Sequence, residues 1–177
     1  MLARPEAAPP GSRDLPHGGG PIARLHLWAG DALIWGLNLL RPPLMFGVRL
    51  IAFDAAGRVF LVRHSYRPGW HLPGGGVEAG ETAREAMLRE AAEEGGLLFD
   101  SEPLLFQLYH HATTGRRDHI VAFVVRDAHQ AKGRDAAGLE IRENGFFDPT
   151  ALPDGTTPAT RARVAEVLAG GTPSDHW

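Results

Sequence analysis

Between Gly75 and Leu97 the chain reads GGVEAGETAREAMLREAAEEGGL, and no other stretch narrows its fold so far. Glu81, Glu90, Glu93 and Glu94 stand at fixed intervals behind a run of glycines. An α-helix advances ~3.6 residues per turn, so positions 90, 93 and 94 share one helical face. Like charges at that spacing repel, and the helix gains nothing structural from them. A divalent cation removes the conflict. Hard cations such as Mg²⁺ take carboxylate oxygens and commonly hold substrate phosphates as well. The pattern points to metal-assisted chemistry on a phosphate compound.

The limits of this helix are also written in the sequence. Thr82 and Glu85 carry the T-x-x-E pattern of a capping box, and Gly95-Gly96 is a stop signal. Gly74, Gly75 and Gly76 let the backbone turn tightly and come close to a ligand or to the helix. Any one of these glutamates alone would read as a solvated helix face. The complete constellation, with Arg89 and glycines on both sides, does not.

The remaining segments predict an α/β domain. Residues 47–54 (GVRLIAFD) and 58–64 (RVFLVRH) read as strands joined by Ala55-Ala56-Gly57 into a hairpin. Residues 70–73 form a short extended piece entering the glycine loop. Residues 104–109 and 119–126 read as further strands with a loop over 110–118. Residues 128–138 are small and polar, as in a surface loop, and 139–147 read as a last strand. A helix over 158–168 shows Val164, Val167 and Leu168 on its apolar side. Together these give a mixed sheet with helices on both faces.

Ahead of this domain, residues 1–21 are rich in Pro, Gly and Ala and read as a disordered tail. Residues 22–43 read as an N-terminal helix stopped at Arg41-Pro42-Pro43. It is apolar around most of its circumference and carries Trp28 and Trp35. Arg24, His26, Asp31 and Asn38 interrupt it, so it falls short of the ~20 apolar residues of a membrane span. It is expected to dock on its own domain or on a second copy of the chain, as in a homodimer; an interfacial membrane anchor is the alternative. The expected domain runs over 44–170, with a C-terminal tail over 171–177.

Composition excludes several classes. A length of 177 residues suits one domain. The net charge of −3 supplies no basic field for long nucleic acid or acidic membranes. The chain has no cysteine, which rules out disulfides, thiolate metal sites and a cysteine nucleophile. That fits a reducing compartment, and a cytoplasmic location is expected.

The run matches G-x5-E-x7-R-E-U-x-E-E-x-G-U, where U is apolar, and it resembles the box of the Nudix hydrolase family. Ala91 is smaller than the usual residue at its position; every fixed position is present. The strands ahead of it and the Phe-Phe-Asp-Pro segment behind it extend the resemblance over about residues 45–170. It implies a Nudix-like α/β/α sandwich with a mixed sheet, here with an extra N-terminal helix. It also implies a hydrolase that cleaves the pyrophosphate bond of a nucleoside diphosphate linked to another moiety, using Mg²⁺ or Mn²⁺. Glu93 and Glu94 are then the leading metal ligands, and Glu90 is a ligand or the base. Arg89 orients the carboxylates, and Glu81 supports the loop. In such enzymes the base often lies outside the box, and Glu140, Glu143 and Asp118 are the candidates.

Nucleoside triphosphates, NDP-sugars and ADP-ribose remain as substrate types, although the proline of ADP-ribose enzymes is absent around His111-Ala112-Thr113-Thr114. The alternative is a nucleotide-sensing Nudix module that binds without turnover. His64, His71, His110, His111 and His119 lack a zinc-like arrangement and read as surface or hydrogen-bonding residues. Trp70, Phe46 and Tyr109 are candidates to stack a nucleobase, with core packing the favoured reading.

Overall fold

Strand β1 (Leu44–Ala52) sets the frame because both of its faces are apolar. Val48, Leu50 and Ala52 enter one hydrophobic cluster, and Ile51 and Phe53 enter another. Alternation with a period of two sends neighbouring side chains to opposite faces, so β1 is covered on both of them. The structure, a computed structural model, describes residues 44–111, 117–131 and 140–177. The tail and helix expected over residues 1–43 lie outside the described residues.

The other elements are β2 (Val59–His64), α1 (Ala83–Gly95), β3 (Leu97–Leu98), β4 (Leu104–His111), β5 (Arg117–Val125), β6 (His129–Gln130), β7 (Ile141–Phe147) and α2 (Pro158–Ala169). β1 pairs with β5 in parallel, and β4 pairs with β5 antiparallel. β2 pairs antiparallel with β7, and β3 with β6. α1 contributes Ala86, Met87 and Ala91 to the first cluster. α2 contributes Val164 and Val167 to the second. The helices therefore cover opposite faces, as the α/β reading required.

Three expectations need correction. The hairpin between the first two strands does not form a ladder; a single bridge joins Phe53 to Val59. The tight turn itself is present, with the Asp54 carboxylate accepting the amides of Ala56 and Arg58 at 3.0 and 2.8 Å. Beyond the turn, however, β1 has other partners. One edge is taken by β5. The other receives the glycine loop, through Val48 N–H to Gly75 O and Leu50 N–H to Pro73 O, both 2.9 Å. Second, residues 128–138 are not all surface loop, since Ala128 is buried and His129–Gln130 pair with β3; residues 132–139 lie outside the described residues. Third, Leu168 is exposed. The buried face of α2 uses Thr160 and Arg163 beside its valines.

Arg163 explains that exchange. Its guanidinium lies 4.4 Å from the Tyr109 ring centroid and 5.5 Å from that of Trp177. It donates to His176 O and to Glu166 Oε1, each at 2.7 Å. Residues 171–177 are thereby joined to the domain. His110 N–H donates to Asp175 O at 2.8 Å, and Trp177 N–H donates to His110 O at 3.0 Å.

Candidate active site

Both ends of α1 are fixed, which fixes where its acids point. Thr82 accepts the Glu85 amide at 3.2 Å, and Glu85 accepts the Thr82 amide at 2.7 Å, completing the capping box. Gly96 closes the helix in the left-handed conformation at φ 55°. Residues four apart share a face, and Glu90 and Glu94 both border a cavity of about 960 Å³. Their side chains are 13% and 12% exposed, whereas that of Glu93 is 61% exposed and does not line the cavity.

The glycine loop fits against this face by virtue of lacking side chains. Gly74 has φ 139°, and a Cβ there would sit 2.2 Å from Val48 O. A Cβ on Gly75 would sit 2.2 Å from Glu90 Oε1. At Gly76 an added Cβ meets nothing within 4 Å, so its place in the run is not a packing demand.

Arg89 gathers three of the acids, Glu90 on the cavity wall and Glu81 and Glu93 outside it. It reaches Glu81 Oε1 at 2.8 Å, Glu90 Oε1 at 2.8 Å, Glu93 Oε2 at 3.3 Å and Gly76 O at 3.1 Å. These bonds raise its pKa, and the same guanidinium, helped by the Glu78 amide, holds the Glu81 carboxyl below its ordinary range. Glu81 thus braces the loop through Arg89 and through the Glu78 amide at 2.7 Å.

Glu94 has the opposite environment. Its Oε2 accepts the Gly74 amide at 2.7 Å in a buried site. Burial, reinforced by Glu90, pushes its carboxyl up to about 7 against the pull of the Gly74 bond. His64 Nε2 stands 3.6 Å from Glu94 Oε1, and burial beside His71, Arg49 and Arg67 drives the imidazole down to about 4. Both shifts oppose an ion pair, so this contact sets a neutral imidazole against a carboxyl.

The three candidates for the base separate. Asp118 and Glu140 border the cavity. Glu143 instead faces Arg63 at 3.3 Å and Arg142 at 3.8 Å, and does not line it. Among the aromatic candidates, Trp70 and Tyr109 are buried in the second cluster, while Phe46 borders the cavity. His71, His111 and His119 line it too; His110 instead sits between the His119 and His176 rings, with centroids at 5.5 and 5.7 Å.

The sequence reading passed over Arg49. It lines the cavity and donates to Gly74 O. The available signal was a lone charge inside an otherwise apolar strand. His64 was considered, but only β2 pairing and the bulge at Arg63/His64 bring it to Glu94.

The model of the NUDIX domain matches residues 43–168 of this chain. The chain belongs to the Nudix family. An RNA pyrophosphohydrolase of Dinoroseobacter shibae is 43% identical over 60 residues, covering 33% of this chain and 38% of that relative. An ADP-ribose pyrophosphatase of Methanocaldococcus jannaschii is 35% identical over 100 residues, covering 54% and 57%. The chain thus spans roughly two fifths to three fifths of these relatives' lengths. Among solved structures, a MutT NUDIX hydrolase from Burkholderia pseudomallei superposes with a TM-score of 0.61 at 24% identity, over 71% of this chain and 98% of that one. A NUDIX hydrolase from Nitrosomonas europaea gives 0.60 at 22% identity, over 72% and 90%. These two likenesses show the Nudix fold.

Nudix proteins generally use divalent metal cations. The donor set here suits one: Glu90, Glu94, Asp118 and Glu140 border one cavity, and repulsion from Glu90 adds to the burial that raises the Glu94 carboxyl. Among the described residues, no three acidic or histidine side chains converge at ligand distance. Glu93 is turned toward Arg89 instead. No helix among the described residues is long and apolar enough to cross a membrane.

Proposed function

We propose that this chain is a metal-dependent pyrophosphohydrolase acting on a nucleoside diphosphate linked to a second group. The observation that carries this reading is the placement of Glu90 and Glu94 on one cavity wall, against the glycine loop. Glu90 and Glu94 would hold Mg²⁺ or Mn²⁺, with Glu93 joining when it leaves Arg89. Such an ion, when bound, lowers the pKa of water and neutralises phosphoryl charge. Arg89 and Glu81 keep the carboxylates in register with the loop. Asp118 or Glu140 takes the proton as water oxygen bonds to phosphorus and the anhydride P–O bond breaks. The leaving phosphate departs as an anion. Burial keeps bulk water away from Glu94, which strengthens its interactions with a charged ligand.

The relatives named as RNA pyrophosphohydrolase and ADP-ribose pyrophosphatase support a phosphoanhydride substrate and leave its second group open. Turnover of nucleoside triphosphates, NDP-sugars, ADP-ribose and a 5′-triphosphorylated oligonucleotide with Mg²⁺ tests the reading. Glu94→Gln is expected to lose on the order of 10²-fold or more in kcat, because metal placement supplies several kcal/mol of barrier lowering. Undiminished turnover in that variant would refute the assignment. The engagement of Glu93 by Arg89 favours one second reading, a module that binds nucleotide without turnover. Tight binding by calorimetry with no phosphate product from any panel member would select it. A cytoplasmic location and a homodimer built on residues 22–40 stay with the main reading; light scattering of the full chain tests the latter.

A further inference from the structure

Arginines on this domain are mostly spent on acids. Arg58, Arg63, Arg84, Arg89, Arg142 and Arg163 each stand within 4.0 Å of a carboxylate. The two that border the cavity, Arg49 and Arg67, have no carboxylate at ion-pair distance among the described residues. Arg49 comes from β1, which pairs with β5 along its whole length, so its guanidinium is held by a fixed element. Its Nη1 donates to Gly74 O and, at 3.3 Å, to Val48 O. Nε and Nη2 have no hydrogen-bond acceptor among the described residues, and the side chain lines the cavity. A guanidinium offers five donors in a planar fork that matches phosphate oxygens. Carbonyl oxygens orient this one, while Glu94 and Glu90 act on its charge from beyond ion-pair distance.

Gly74 links this cation to the acidic wall. Its carbonyl accepts from Arg49 and its amide donates to Glu94 Oε2 at 2.7 Å, so a single residue spaces the two groups. Arg67 lies on the same side; its charge acts on Arg49, His64 and His71. The cavity wall also holds Asp118 and Glu140, so its acids alone would repel a polyphosphate.

We propose that Arg49, seconded by Arg67, forms an anion subsite that grips a non-bridging oxygen of the diphosphate chain beside Glu94. The identity of the ligand chain rests on the hydrolase reading; the subsite itself is defined by the two guanidinium groups. A phosphoryl group bound there gains two charge-assisted hydrogen bonds from Nε and Nη2. It is also fixed at one distance from the carboxylates, because Gly74 ties both sides together.

Isothermal titration calorimetry of the full chain with inorganic pyrophosphate, in EDTA, tests this without metal or turnover. Wild type is expected to bind, and Arg49→Met to bind about tenfold more weakly or worse, with a preserved melting transition. Arg49→Lys, which keeps the stem and charge but loses the fork, should fall between them, and it carries the test if the Met variant does not fold. Arg67→Met should weaken binding by a smaller factor. In a turnover assay Arg49→Met should raise KM more than it lowers kcat. Equal pyrophosphate affinity in wild type and Arg49→Met, or no binding by wild type, overturns the subsite. Arg49-dependent binding with no turnover of any substrate leaves the subsite standing and removes the hydrolase reading. Turnover with Arg49-independent binding and KM does the reverse.

Discussion

The Gly74 amide donates to Glu94 Oε2 at 2.7 Å inside the protein, tying the glycine loop to the last turn of α1. Gly75 O in turn accepts the Val48 amide, so the loop is stitched to β1 as well. Helix, loop and β1 are thus joined by hydrogen bonds, and the acid at their junction is nine-tenths buried.

That burial has a measurable sign. The Glu94 carboxyl is raised from 4.5 to about 7, so between those values the folded protein holds a proton that the unfolded chain releases. Stability from this group is full below about pH 4.5 and is lost as pH rises through about 7, by on the order of 3 kcal/mol. His64 works the other way. Its pKa falls from 6.5 to about 4, so its contribution is present above 6.5 and lost as pH drops toward 4. Urea denaturation in EDTA should therefore compare wild type with Glu94→Gln. The variant's advantage should grow from pH 5 to pH 8, and a constant difference would contradict the buried assignment.

Adjacent glycines should fail in different ways. Gly74→Ala places its Cβ against the Val48 backbone at a φ that L-residues rarely adopt. It is expected to cost about 3 kcal/mol or more and to abolish cooperative melting. Gly75→Ala meets only the end of the Glu90 side chain, which can rotate away. That variant should stay folded by circular dichroism yet lose most of its turnover.

Arg89→Ala leaves Glu81, Glu90 and Glu93 without their common cation. We expect about 1–3 kcal/mol of destabilisation by urea denaturation, since two of these acids are largely shielded from solvent. Arg89→Lys should recover less than half of it, because one ammonium group cannot span three carboxylates and the Gly76 carbonyl.

Base candidates can be ranked by where they sit. Glu143→Gln should keep turnover within about threefold, because an exposed pair with Arg63 contributes little. Asp118→Asn or Glu140→Gln should cost on the order of 10²-fold if the residue takes the water proton. Steady-state rates of the three variants at saturating Mg²⁺ decide among them, and a large loss confined to Glu143→Gln would reverse the order.

The acidic helix was legible because its information is local. Thr82 with Glu85, the closing Gly96 and the spacing of Glu90 and Glu94 all act within two turns of chain. Sheet partners were not, because they depend on distant residues. The Asp54–Arg58 turn looks like a hairpin loop, yet β1 is engaged by β5 on one edge and by Pro73 and Gly75 on the other. Arg49 and His64 were hidden for the same reason. Each is an ordinary strand residue until β1, β2 and the glycine loop are folded together. Arg163 misled the reading of α2, since a charged residue becomes a core residue only when Tyr109 and Trp177 flank it.

Residues 175–177 carry one more consequence. β4 borders its sheet and shows Leu104, Leu105 and Leu108 to solvent. Such a border invites strands from other molecules. Asp175 and Trp177 occupy the backbone groups of His110 and so blunt part of that invitation from within the same chain. Clipping these few residues would bare a sticky margin, and copies of the protein would then begin to zip together along it.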